Sequence, residues 1–226
     1  MAWFNFGGAQ IHFEVTGQGP PLLYLPGVTE FIASHGDLRA RLAHSHRVIA
    51  ADLPGSGRSG PQPRIYQPGY YHEDARAFLA LLDQQAPGQT AHLLGYSDGG
   101  EVALTLATLA PHRARSVLVW GASGFVHDPG GQIAAAFHAV VDDPVPDMRA
   151  YRDFLIASYG VDLARAITRN FAQGLTKIAA AGGEICRAEA HRITCPVCLF
   201  VGRDRWFCHQ GVDRRHRRAH PSGRSA

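Results

Sequence analysis

The chain has 226 residues, 46% hydrophobic and 18% charged. That balance excludes an intrinsically disordered protein and suits one large domain, or one domain carrying an insertion. The formal net charge of +3 is local: the last 18 residues carry Arg214, Arg215, Arg217, Arg218 and Arg224 against one acid, Asp213, while the other 17 basic and 18 acidic side chains nearly cancel.

Two polar–apolar alternating runs, Ala2–Phe6 and Ala9–Val15, meet at Gly7-Gly8 and predict a hairpin. The pattern then changes. Pro21–Leu25 is a short continuous apolar run, as expected of a strand buried on both faces. Residues 32–44 carry helical spacing, and Arg47–Leu53 predicts a second buried strand. Tyr71–Gln85 is an amphipathic helix, Ala91–Tyr96 a strand, Asp98–Leu109 a helix and Arg115–Trp120 a strand. Strand alternating with helix at this spacing implies right-handed βαβ units and a mostly parallel sheet, an α/β fold. From residue 125 to 193 the alternation gives way to helical segments, notably 148–158 and 161–174, which predict a helical cap inserted above the sheet. Pro196–Val201 then resumes the buried-strand pattern. The expected organisation is therefore a core over 1–124, a cap over 125–193, a core strand and acid loop over 194–208, and a basic tail over 209–226.

All four cysteines, Cys186, Cys195, Cys198 and Cys208, lie in the last quarter. Cys195 and Cys198 have C-x-x-C spacing, but no second pair at zinc-finger spacing follows. Inside a buried strand Cys behaves as a small hydrophobe, so neither a metal nor a cofactor is expected. The N-terminus has no basic start leading into an apolar run, and no stretch approaches about 18 apolar residues. The expectation is a soluble cytoplasmic protein without a membrane partner.

Gly95-Tyr96-Ser97-Asp98-Gly99-Gly100 sits between a predicted strand and a predicted helix. A G-x-S-x-G run in that context is a nucleophile elbow: the turn is too tight for side chains at the glycines, and it lifts the serine hydroxyl clear of the backbone. Ser97 is thus the expected nucleophile. The Asp98 amide at the helix start is placed to receive an oxyanion, and the loop after Pro21–Leu25 (Pro26-Gly27-Val28) should supply the second amide from Val28. Asp52-Leu53-Pro54-Gly55-Ser56-Gly57-Arg58-Ser59 ends the second buried strand and reads as a structural loop.

These three motifs, in this order on these strands, resemble the α/β-hydrolase superfamily. The acidic Asp98, the Trp120-Gly121-Ala122 strand end, and Gly183-Glu184-Ile185-Cys186-Arg187 before Thr194-Cys195-Pro196 resemble more narrowly the valacyclovir hydrolase, or biphenyl hydrolase-like, group. The resemblance runs from about residue 9 to residue 207. It implies a helical lid and hydrolysis of small esters, notably α-amino acid esters. Asp98 then has two readings: a carboxylate favoured by the helix macrodipole, or the acceptor of a substrate ammonium. One residue can do both.

A serine hydrolase of this fold needs an acid and then a histidine after the serine. Asp204, in Gly202-Arg203-Asp204-Arg205, is the expected acid, although many relatives carry it where Arg205 stands here. No histidine is assignable. Residues 209–226 contain His209, His216 and His220 but neither an apolar period nor a β-branched run, so the last strand and helix of the fold are expected to be missing. Lys177 is the only lysine. With the many alanines this suggests GC-rich coding, and the tail reads as a frameshift product beginning near Cys208. His127 and His138 are the histidines of the helical insertion that could instead approach Ser97.

The leading expectation is a serine esterase acting through an acyl-enzyme on a small-molecule substrate. The alternatives are an impaired fragment or ligand-binding pseudo-enzyme, and a C–C bond hydrolase or cofactor-free haloperoxidase-like enzyme. A five-Arg tail gives only non-specific attraction to nucleic acid. The oligomeric state is not legible.

Overall fold

A computed structural model describes residues 2–200. Seven strands form one sheet in the order β1-β2-β4-β3-β5-β6-β7. β1 (Ala2–Phe6) and β2 (Ala9–Thr16) form the expected antiparallel hairpin. β2 pairs antiparallel with β4 (Arg47–Ala51), and from there the sheet is parallel through β3 (Pro21–Leu25), β5 (Ala91–Tyr96), β6 (Ala114–Trp120) and β7 (Val197–Phe200). Every residue of β3 is buried, as its uninterrupted apolar run requires.

The helices between strands cover the sheet. Residues 32–44 fold as a 3₁₀ turn, Ile32–His35, running into α1 (Gly36–Ala43). α2 (Tyr70–Gln85) lays Ala75, Phe78, Leu81 and Leu82 into the core. α3 (Asp98–Leu109) is buried along almost its whole length, matching its apolar character on all sides. Between β6 and β7 the chain is helical, with α4 (Gln132–Ala139), α5 (Arg149–Tyr159) and α6 (Val161–Ala180). α6 presents Ala164, Ile167, Phe171, Leu175 and Ile178 at helical spacing as its buried stripe.

β7 departs from expectation. Pro196–Val201 reads as buried, yet every residue of β7 is exposed, with Phe200 at 58%. The cause is position: β7 pairs only with β6 and ends the described sheet. The same correction applies to the cysteines: Cys198 is exposed and Cys195 half-buried, and among the described residues only Cys186 is a core thiol.

The sheet register creates the site. Leu25 lies beside Gly95, and Tyr96 beside Trp120. The carboxyl ends of β3, β5 and β6 therefore release their loops side by side, where α/β sheets bind ligands.

Candidate active site

Ser97 follows β5 with φ 50° and ψ −122°, a conformation that costs a non-glycine residue on the order of 1–3 kcal/mol. The strain is held from several sides. The Ser97 amide donates to the Trp120 carbonyl at 2.9 Å, and the Ser97 carbonyl accepts from Glu101 N–H at 3.0 Å. A Cβ at Gly95 would collide with the Gly99 carbonyl, and one at Gly99 with the carbonyls of Leu25 and Pro26. α3 can thus return against β5, and against the end of β3, only with glycine at both places.

That close approach also brings the loop after β3 to the serine. A methyl group at residue 27 would meet Ser97 Cβ at 3.4 Å and Glu30 Oε2 at 3.2 Å. Val28 is buried. Its neighbours' amides are engaged: Gly27 N–H donates to Glu30 Oε2 at 3.2 Å, and Thr29 N–H to Ser56 Oγ at 2.9 Å. His35 joins the same carboxylate oxygen through Nε2 at 3.1 Å.

Asp98 opens α3 and is 6% exposed. Tyr71 and Tyr70 both donate to its Oδ1, at 2.7 and 2.9 Å, with their rings 4.0 Å apart. Burial raises its carboxyl above the ordinary range, and the two phenols pull it partly back. Ser97 Oγ stands 3.5 Å from Oδ2, the outer limit of a hydrogen bond. Both readings of Asp98 are compatible with this place: it is the first helical residue, and its side chain reaches the cavity.

That cavity holds about 780 Å³, with Ser97, Asp98, Glu101, Glu30, His35 and His127 among its lining residues. Phe125, Phe137, Phe171 and Leu175 supply apolar wall from the β6–β7 segment. Among the described residues its acidic lining groups are Glu30, Asp98 and Glu101, and no Lys or Arg lines it. Of His127 and His138, the first lines the cavity and the second is not among its lining residues. Asp204, His209, His216 and His220 lie outside the described residues.

Several residues at this site carried no recognisable sequence signal. Glu101 is 8% exposed and accepts the backbone N–H groups of Ser123 and Gly124 at 2.9 and 2.7 Å. Burial outweighs those two donors and pushes its carboxyl up to about 8. Gly124 in turn accepts the amides of Ile185, Cys186 and Arg187 through its carbonyl. The Gly183–Arg187 segment therefore ties the return from α6 to the exit of β6. A buried Glu on an apolar helix was the one available hint; Tyr70, Tyr71, Glu30 and His35 gave none, because their partners are distant in sequence or set by loop geometry.

A family model described as serine aminopeptidase, S33, matches residues 22–225. The chain belongs to this family of hydrolases. Human serine hydrolase BPHL is 29% identical over 202 residues, covering 86% of this chain and 67% of its own. The putative carbamate hydrolase RutD of Azorhizobium caulinodans is 34% identical over 130 residues, covering 56% and 48%. The chain thus spans between about half and two thirds of these relatives. Among solved structures, an E-2-(acetamidomethylene)succinate hydrolase superposes with a TM-score of 0.60 at 20% identity, covering 89% of this chain and 90% of that one. The protein is an α/β-hydrolase of serine-hydrolase type. Among the described residues of this hydrolase, no helix is long and apolar enough to cross a membrane.

Proposed function

We propose that this hydrolase cleaves small carboxylic esters, with α-amino acid esters as the favoured class, through an acyl-enzyme. Ser97 Oγ attacks the ester carbonyl and passes its proton to an imidazole base. The Val28 and Asp98 amides receive the oxyanion. The alcohol leaves, and water then releases the acid from Ser97. Asp204 is assigned as the acid that orients the base. The Asp98 carboxylate receives the substrate ammonium, which makes it an acceptor as well as the first residue of α3.

One observation carries the reading: a serine in strained backbone geometry faces a cavity that Asp98 also lines. The similarity to human serine hydrolase BPHL supports the same class of chemistry. The test is labelling with a fluorophosphonate, followed by ester kinetics. Labelling that disappears in Ser97→Ala supports the nucleophile, and no labelling of the intact chain overturns it. Asp98→Asn should slow amino-ester hydrolysis selectively. Equal loss on amino esters and their des-amino analogues would remove the recognition role.

A further inference from the structure

Besides Ser97, Thr29 is the other described non-glycine residue with a positive φ, and its neighbour Glu30 lines the cavity. Its φ is 65°, it is fully buried, and it is β-branched, a type that rarely adopts the left-handed region. Such a conformation persists only where its surroundings over-determine it. All its polar groups are held. Its amide donates to Ser56 Oγ at 2.9 Å, its Oγ1 shares a 2.6 Å hydrogen bond with Tyr151 OH, and its carbonyl accepts from Tyr159 OH at 2.5 Å. Tyr159 OH also accepts from Gly57 N–H at 2.7 Å, so its proton and a lone pair are both committed.

Two of these bonds come from α5, more than a hundred residues away in the helical segment. α5 also stacks Phe154 on Phe31, with centroids 5.7 Å apart. In the loop itself the amides of Gly27 and Thr29 are taken by Glu30 and Ser56, while the N–H between them belongs to Val28. Fixing the peptides on either side fixes the direction of that N–H.

We infer that Tyr159 and Tyr151 are positioning residues: from the helical cap they hold Thr29 in its left-handed conformation and so aim the Val28 amide at the oxyanion above Ser97. The cap on this account does more than cover the pocket, because removing its hydroxyls misaligns a donor in the core. The inference rests on the serine-hydrolase reading above and adds the source of the oxyanion geometry.

The test compares an oxygen ester with its thionoester, whose sulfur fits an oxyanion site poorly. Tyr159→Phe should lower kcat on the oxygen ester about tenfold with KM changed less than about twofold, and should shrink the oxo-to-thiono ratio of kcat/KM by about the same tenfold factor. Tyr151→Phe should give a smaller change in the same direction. Phe154→Leu, which weakens the cap–loop contact without touching a Thr29 hydrogen bond, should leave the ratio unchanged. An unchanged ratio in Tyr159→Phe, with Ser97→Ala inactive, overturns the inference and leaves the serine reading standing. If Ser97→Ala still turns over both esters, the serine reading fails by itself. Hydrogen exchange of the 27–30 amides then decides the positioning: faster exchange in Tyr159→Phe supports it, and equal exchange overturns it.

Discussion

The Tyr71 hydroxyl lies 2.7 Å from Asp98 Oδ1, two residues that the sheet and α2 bring together across 27 positions of sequence. Burial alone would favour the neutral carboxyl, and Tyr71 is the nearer of the two phenols that oppose it. Tyr71→Phe therefore raises the Asp98 pKa further. On the proposed role of Asp98, only the ionised form binds the substrate ammonium, so that recognition would be present above the pKa and lost as pH falls through it. In Tyr71→Phe the loss moves to higher pH. The pH at which KM for an amino ester begins to climb should therefore be higher in Tyr71→Phe than in wild type. The measurement is KM against pH for an amino ester and its des-amino analogue; profiles that shift together contradict the assignment.

Glu101 makes a different pH prediction. Its folded carboxyl titrates near 8, against a reference of 4.5, because burial outweighs the Ser123 and Gly124 donors. Between those values the folded chain binds more protons than the unfolded one, so this group's contribution to stability declines as pH rises from about 4.5 to about 8. One proton gives a slope of at most about 1.4 kcal/mol per pH unit. Glu101→Gln does not titrate. Urea denaturation at intervals from pH 5 to pH 8 should find wild type losing stability relative to Glu101→Gln as pH rises. Parallel curves would show that the carboxyl is ionised throughout.

The strands around the site were legible because each is a short apolar run closed by Gly or Pro. β3 and β5 fall at the expected residues, and α3 begins at Asp98 as the elbow demands. The exposure of β7 was not legible, since an edge strand and a central strand share the same composition and only the neighbours differ. Thr29 was hidden for another reason: nothing in Pro-Gly-Val-Thr-Glu announces a left-handed threonine, because the groups holding it come from Ser56, Tyr151 and Tyr159. Polar networks between loops are long-range by nature and leave no period to read. Asp204 and the histidines after it lie outside the described residues, so the acid remains the expectation drawn from its place after β7.

The buried pair of Arg64 and Asp74 is held by two hydrogen bonds of 2.7 Å. The guanidinium also lies 5.1 and 5.2 Å from the ring centroids of Tyr66 and Tyr70. Tyr70 is one of the two phenols on Asp98, so the pair braces the site from behind. Asp74→Ala would leave an uncompensated buried cation and should cost about 3–5 kcal/mol. Replacing both partners, Arg64→Met with Asp74→Leu, should recover most of that loss. Chemical denaturation of the single and double variants checks this, and a double variant no more stable than Asp74→Ala would contradict it.

Glycine-to-alanine substitution should have opposite signs at Gly99 and Gly36. At Gly99 the new methyl group meets the carbonyls of Leu25 and Pro26, which are backbone atoms and cannot swing aside. The end of β3 or the start of α3 must move, which separates Ser97 from the loop carrying Val28. Gly99→Ala should lose at least about 3 kcal/mol of stability and nearly all labelling of Ser97. Gly36 is the first residue of α1, with ordinary helical angles of −55° and −44° and no atom within 4 Å of an added Cβ. There alanine only restricts the unfolded chain and improves helix propensity, a gain of about 0.5–1 kcal/mol. Thermal unfolding and fluorophosphonate labelling of the two variants separate the cases: if Gly99→Ala labels at the wild-type rate, the elbow tolerates a side chain and the close approach of α3 to β3 is not what positions the serine.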